Sequence, residues 1–229
     1  LGAMNVIDAA ISCGVSSIVA LSTDKASSPS NLYGATKLTS DKLFIAGNSY
    51  SGSDGPTFSV VRYGNVMGSR GSVIPLFLSL KSDEDTPITH PDMTRFLITL
   101  EEGISLVDTA FSTAIGGEIF VKKIPSIKIT GLAKILRPDN NIKIVGVRPG
   151  EKIHEQMISV EDASFTYEYS SFYKILPSIN GWGSDPKRIG DGVAVHSEFS
   201  YSSDTNCDWV NDEYIKTWID ENYTEFEKL

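Results

Sequence analysis

The sequence is short of cysteine, histidine, positive charge and long apolar runs, and each shortage excludes something. Its two cysteines, Cys13 and Cys207, form no C-x-x-C and no metal spacing. They read as unpaired thiols of a reducing compartment rather than as a disulfide framework. The three histidines, His90, His154 and His196, stand far apart; neither they nor the carboxylates show ligand spacing, so no metal is expected. Lys and Arg number 20 against 29 Asp and Glu, a net charge of −9. That balance argues against nucleic acid or an anionic membrane as partner, although a few local Arg and Lys residues suffice for a nucleotide's phosphates. No apolar run approaches the roughly 18 residues a membrane span needs, and no signal-peptide pattern is present. The expected location is the cytoplasm.

A Gly-rich phosphate turn of the form G-x-x-G-x-x-G after a strand is also absent. The opening stretch, LGAMNVIDAAISCG, is already mid-pattern: Met4, Ile7, Ala10 and Ile11 recur at helical spacing and Gly14 ends the run. The expectation is a chain that starts inside a longer protein.

What is present is the balance of a globular domain, with 41% apolar and 21% charged residues. The length of 229 residues suits one large domain or one and a half ordinary ones. Residues 2–13 read as a helix and 16–22 as a strand whose continuous apolar run suits burial on both faces. Residues 31–50 read as a long helix capped by Asn31, with Leu32, Ala35, Leu38, Leu43 and Ile45 as its apolar positions. A loop over 51–56 leads to a buried strand over 57–64. This order of helix and strand predicts an α/β fold with a parallel sheet. Further on, helices are expected over 72–81, with Pro75 in the first turn, and over 99–112, with Ile104, Leu106, Val107 and Ala110 buried. Strands are expected over 86–90, 117–123 and 141–147, a helix over 126–136, an extended pair over 164–176 and a closing helix over 211–229. Trp182, Trp209 and Trp218 read as packing residues, and His154 and His196 as structural or exposed.

One stretch concentrates chemistry. STDKASSPSNLYGATK, residues 22–37, places Asp24, Lys25, Tyr33 and Lys37 between a strand and a helix. Tyr33 and Lys37, four apart, share a helix face. An ammonium near a phenol favours phenolate, and such a Tyr can exchange a proton with a sugar hydroxyl. The motif alone is weak, but the ends of strands are where α/β folds keep their chemistry. The plainer reading of Asp24 and Lys25 is an exposed pair in a loop.

A strand ending in Ser22-Thr23, a loop and Tyr-x-x-x-Lys on a helix resemble the extended short-chain dehydrogenase/reductase family. VVRYGNVMGSRGSVIPLF (60–77) and RPGEKIHEQMIS (148–159) resemble its nucleotide-sugar members. LSTDKA, NLYGATKLTSDKLF, MTRF and VRPGEKIHE together are similar to UDP-N-acetylglucosamine 4,6-dehydratases, nearest the inverting kind that opens pseudaminic acid biosynthesis. The resemblance runs from residue 1 to about residue 205.

It implies the C-terminal part of a Rossmann-like doubly wound sheet over 1–65, with later segments returning to it. The rest, 66–229, is then mainly a smaller α/β sugar-nucleotide-binding region and tail. It implies Thr23, Asp24, Lys25, Tyr33 and Lys37 as catalytic. Asp24 would protonate the departing C6 hydroxyl and Lys25 would remove the C5 proton. Glucose-type dehydratases carry Asp-Glu at that pair, and membrane-bound retaining relatives carry Met at the Tyr position. Ser22, Tyr33, Lys37, Tyr63 and Gly64 would hold the cofactor, NADP with NAD as the alternative. Asn65 would bond the sugar diphosphate, and Val66 and Val73 through Leu76, including Pro75, would flank the uridine. Arg95 and Arg148 would bind the pyrophosphate, guanidinium forks matching phosphate oxygens; the plain alternative for each is a surface charge. Glu151 would meet the uridine ribose. His90 departs from the acidic residue expected before PDMTRF. A homo-oligomer is implied, as is the absence of the adenine side of the cofactor site from these residues, so the chain alone is expected to be inactive. A UDP-sugar 4-epimerase or related reductase, and a sugar-nucleotide-binding protein without catalysis, remain the rivals.

Overall fold

The structure, a computed structural model, describes residues 1–52 and 54–226, with side chains to Asn222. The first half of the chain runs α1 (Gly2–Cys13), β1 (Ser17–Thr23), a 3₁₀ turn (Asp24–Ala26), α2 (Leu32–Ser51), β2 (Thr57–Tyr63), β3 (Asn65–Val66), α3 (Val73–Ser79), β4 (Thr86–Ile88), β5 (Thr94–Ile98) and α4 (Leu100–Thr113). There follow β6 (Ile119–Lys122), β7 (Ser126–Lys128), α5 (Ile129–Leu136), β8 (Ile142–Ile144), β9 (Gln156–Ile158), α6 (Val160–Ala163), β10 (Thr166–Glu168), β11 (Phe172–Ile175), α7 (Pro186–Ile189), β12 (Val193–Ala194) and α8 (Asp212–Phe226). The expected closing helix is therefore present to Phe226, and its last three residues lie outside the described ones. The chain divides into two compact units. One gathers residues 1–63, 101–123 and 156–201; the other gathers 64–100, 124–155 and the stretch from Ser202 onward.

The first unit holds a six-stranded sheet in the order β1-β2-β6-β11-β10-β12. β1, β2 and β6 are parallel, and the other three extend the sheet antiparallel. Helices cover both faces of β2, the doubly wound arrangement. On one face Val61 and Phe120 pack with Leu106 and Ala110 of α4. On the other Phe58 meets Phe44 of α2, ring centroids 6.3 Å apart. Gly47 makes that approach possible, since a Cβ there would stand 3.1 Å from the Phe58 ring and 3.4 Å from Ile7 of α1. Gly14 ends α1 in the left-handed region at φ 66°, as its position in the pattern predicts.

Three expectations are corrected here. β1 is the edge strand among the described residues, and its apolar run is half-buried, with Leu21 exposed. On α2 the packing face is Gly34, Asp41, Phe44, Ile45 and Gly47, while Leu32 and Ala35 face outward. Small and polar residues lie inward because the sheet comes close and because Asp41 has a buried cationic partner. On α4, Ile104 is exposed and Gly103 takes the inward place.

The second unit is built from a three-stranded β3-β5-β7 sheet, a parallel β4-β8 pair and helices α3, α5 and α8. Met67, Ile74, Leu97, Ile127, Leu132 and Ile215 form its main core, with Trp218 packed against it. The helix expected over 126–136 begins only at Ile129, because Ser126–Lys128 pairs with β5. β5 is buried at four of its five positions and so shows no alternation, and β9, in the first unit, has only three residues. The Trp182 ring lies 4.3 Å from the Arg188 guanidinium. Cys13 and Cys207 are free and exposed. No described helix is long and apolar enough to cross a membrane.

Candidate active site

The sheet ends at Thr23, and the chain turns at once into the 3₁₀ turn. Thr23 caps that turn, its hydroxyl accepting from the Lys25 N–H, and donates the hydroxyl proton to Asp24 Oδ1 at 2.7 Å. Lys25 Nζ reaches the same oxygen at 3.0 Å. Asp24 is fully buried, whereas the Lys25 side chain is 36% exposed. Asp24 Oδ2 is buried without a hydrogen-bond partner. The exposed loop pair is therefore excluded: this carboxylate is enclosed, held by a hydroxyl and an ammonium, with one acceptor unmet.

The loop back to α2 is tightly held. Ser28 sits at φ 44° and donates to Gln156 Oε1 at 2.9 Å. Asn31 Oδ1 accepts from the Gly34 N–H at 2.9 Å, the expected cap. Tyr33 follows with its side chain outward, 56% exposed. Lys37, one turn on, donates Nζ to the Leu21 carbonyl at 3.0 Å. Thr23, Asp24, Lys25, Tyr33 and Lys37 thus occupy one strand end and the helix start packed against it.

Ser22 is different. It was expected to face a cofactor, but alternation along β1 turns its side chain inward, 5% exposed, where its hydroxyl donates to Asp41 Oδ2 at 2.8 Å. Arg62, its register partner on β2, reaches the same oxygen at 3.2 Å. Tyr63, opposite Thr23, packs beside the Val61–Phe120 cluster, and burial pushes its phenol up. Gly64 has a packing reason to be glycine, since a Cβ there would stand 2.6 Å from Phe96 Cβ.

In the second unit a cavity of about 320 Å³ is lined by Asn65, Ser72, Val73, Leu76, Phe77 and residues of β4, β5 and the 145–151 stretch. Two polar atoms of this lining are buried without partners, Asn65 Oδ1 and Ser72 Oγ. Val66, on β3, and Ile74 and Pro75, on α3, are not in the lining. Along α3 the helical period turns Val73, Leu76 and Phe77 to the cavity and Ile74 into the core. Arg95 lines the cavity, but its guanidinium donates to the Thr94, Ile153 and Lys152 carbonyls at 2.7, 2.9 and 3.0 Å and faces Glu151 and Glu155 at 3.9 and 3.8 Å. Its three hydrogen bonds go to backbone carbonyls, two of them in the 151–155 segment. Arg148 is exposed on the same lining. Glu151 Oε2 closes the Arg148–Glu151 turn by accepting from the Arg148 N–H at 3.3 Å. Among the described residues no group of three or more His, Cys, Asp or Glu side chains gathers as a metal would require.

The family model described as polysaccharide biosynthesis protein matches residues 1–177. The UDP-N-acetylglucosamine 4,6-dehydratase (inverting) of Campylobacter jejuni serotype O:23/36 is 49% identical over 237 residues, spanning 98% of this chain and 69% of that protein. The chain belongs to the polysaccharide biosynthesis protein family, in the branch of these dehydratases. A UDP-glucose 4-epimerase of Rickettsia canadensis is 43% identical over 180 residues, which cover 76% of this chain and 53% of that protein. Among solved structures, Pen from Bacillus thuringiensis aligns with a TM-score of 0.82 at 33% identity, over 96% of this chain and 66% of that one. The likeness to TunA of tunicamycin biosynthesis, TM-score 0.55 at 18% identity, is one of fold. It agrees with the Rossmann-type α/β reading.

Membership of this family does not by itself reveal Asp41, Arg62 or Ser72, and sequence reasoning passed over all three. Asp41 carried a signal: it continues the Tyr33, Lys37 spacing by another four residues.

Proposed function

We propose that the chain carries the catalytic strip and the nucleotide-sugar cavity of an inverting UDP-N-acetylglucosamine 4,6-dehydratase. The observation that carries this reading is the buried Asp24 joined to Lys25 directly after Thr23. A 4-epimerase moves a hydride and one hydroxyl proton, and a binding module moves neither. A dehydratase must also take a proton from C5 and give one to the C6 hydroxyl.

The pair suits that second demand. The Lys25 nitrogen and the Asp24 oxygen lie 3.0 Å apart. Passing one proton from Lys25 Nζ to Asp24 leaves a neutral amine and a carboxylic acid, the base and the acid the elimination needs. The amine takes the proton from C5, acidified by the C4 ketone. The acid gives its proton to the C6 oxygen, which leaves as water. Ammonium and carboxylate are then restored, so the elimination consumes no solvent proton. Earlier, Tyr33 takes the O4 proton, with Thr23 and Lys37 beside it. Saturation of C6 leaves C5 to take a proton from solvent on the face opposite Lys25, which inverts that centre.

The exposed Tyr33 hydroxyl and the Lys37 position at a strand end fit a nicotinamide and its ribose. That cofactor, NADP in our reading, supplies hydride storage between C4 and C6 when bound. In the second unit the unmet Asn65 Oδ1 and Ser72 Oγ and the free fork of Arg148 suit a UDP group. A homo-oligomeric, cytoplasmic enzyme of pseudaminic acid synthesis completes the proposal. The test is to incubate the protein at its full natural length with UDP-N-acetylglucosamine in heavy water. A 4-keto-6-deoxy product deuterated and inverted at C5 is expected. A product of unchanged mass inverted at C4 would make it an epimerase.

A further inference from the structure

Two buried charges in the first unit take no part in this chemistry. Asp41 on α2 and Arg62 on β2 are each 2% exposed. Asp41 Oδ2 receives both the Ser22 hydroxyl, at 2.8 Å, and Arg62 Nη2, at 3.2 Å. Arg62 Nη1 donates onward to the Met157 carbonyl at 2.7 Å and faces Asp162 at 3.8 Å.

The place of this cluster is informative. Ser22 immediately precedes Thr23, Asp24 and Lys25. Asp41 lies one helical turn beyond Lys37 and two beyond Tyr33. Lys37 holds the Leu21 carbonyl while Asp41 holds Ser22, so two adjacent residues of β1 are gripped by two residues on one face of α2. Arg62 braces the grip from β2, directly opposite Ser22 in the register.

A buried ion pair is weak evidence of a purely stabilising role. Burial pushes the Asp41 carboxyl up, and this outweighs the pull of Arg62, the Ser22 hydroxyl and Lys37 in the other direction. Apolar residues of the same size commonly match or better a buried ion pair. What apolar residues lack is direction: a carboxylate accepting two bonds on one oxygen sets the helix against the strand end in a single register.

We propose that Asp41, with Ser22 and Arg62, is a positioning residue for the dehydration. It fixes the end of β1 against α2 and so sets Asp24 and Lys25 in place relative to Tyr33. This inference rests on the dehydratase reading. Its leverage comes from the sensitivity of proton transfer to position, where a misplacement of about 1 Å costs on the order of a hundredfold.

The test compares Asp41→Asn and Ser22→Ala with Asn48→Ala in the full-length enzyme. Asn48 is a second α2–β2 tie, bonded to both the carbonyl and the N–H of Phe58 at 2.9 Å, further along the helix. Asp41→Asn should lower kcat per folded molecule by about tenfold or more. Its KM for UDP-N-acetylglucosamine should stay within about twofold, since none of the three residues lines the cavity. Ser22→Ala, which keeps the charge pair and tests the idea should Asp41→Asn not fold, should show the same split more mildly. The double variant should lose less than the sum of the two single losses, because the Ser22–Asp41 bond is common to both changes. Asn48→Ala should lower Tm and leave kcat per folded molecule unchanged. A kcat within twofold of wild type in both Asp41→Asn and Ser22→Ala, or an equal fall in Asn48→Ala, would overturn the proposal. If the wild type itself forms no dehydrated product, the dehydratase reading fails instead and takes this one with it.

Discussion

Gly34 faces the carbonyl oxygen of Lys25 so closely that a Cβ on it would stand 2.4 Å away, and 2.9 Å from Pro29 Cβ. The start of α2 thus rests on the turn that carries Asp24 and Lys25, with no room for a methyl group between them. Helix propensity and packing predict opposite outcomes for Gly34→Ala. Propensity alone favours alanine by about 1 kcal/mol. The clash is with backbone and should dominate, lowering Tm and cutting kcat at least about tenfold as Tyr33 moves away from the turn. Thermal unfolding with steady-state kinetics decides; a raised Tm with full activity would show that the turn yields.

Lys25→Ala should abolish deuterium entry at C5 and formation of the 4-keto-6-deoxy sugar. It should also destabilise the fold, because it leaves the fully buried Asp24 without its cation. Tyr33→Phe should behave differently. Its ring is largely exposed, so Tm should hold while kcat falls by about 10²–10⁴. NMR of the product and a melting curve on each variant separate the two behaviours.

The two arginines should part company. Arg148→Ala should weaken UDP binding by about tenfold or more, as expected for the loss of charge-assisted phosphate contacts, and leave Tm unchanged. Arg95→Ala removes the donor to the Thr94, Lys152 and Ile153 carbonyls and the cation facing Glu151 and Glu155, so a stability loss of about 1–3 kcal/mol should accompany any loss of binding. Calorimetry with UDP and denaturant unfolding read the two effects separately.

Removal of the Ser72 hydroxyl in Ser72→Ala should cost UDP affinity without cost to α3, because that hydroxyl makes no cap bond in the free protein. An unchanged Kd would show that the orphaned oxygen is filled by water alone.

Tyr169 provides a pH test. Burial, aided by Asp191, Glu118 and Tyr167, pushes its phenol up to about 12. Its ordinary value in the unfolded chain is near 10. The folded state therefore holds the proton more tightly, a contribution fully present below about pH 10 and lost as pH rises through about 12. Lys174, stacked on the Tyr169 ring, titrates the other way: burial lowers its pKa, so its penalty shrinks as pH rises toward 10.5. Tyr169→Phe should flatten the alkaline fall in stability, followed by urea midpoints between pH 9 and 12.

The sequence by itself determined the α/β order, the long capped helix and the strip from Thr23 to Lys37. Each is written in local terms: apolar period, a capping Asn, a Gly at a helix end and charged residues close along the chain. It also carried the family likeness, through motifs that are contiguous. Tertiary structure alone decided which way those side chains point. Ser22, turned inward by the strand's alternation, found Asp41 and Arg62 there only because folding brings them together. Pro75 turned from the cavity because α3 presents its other face. Arg95 spent its donors on carbonyls that only folding brings within reach. Burial of Asp24 was equally illegible, since a charged residue beside a turn reads as exposed until the helix start closes over it. Local pattern is set by neighbours along the chain; direction and enclosure are set by partners that the chain brings near only once it has folded.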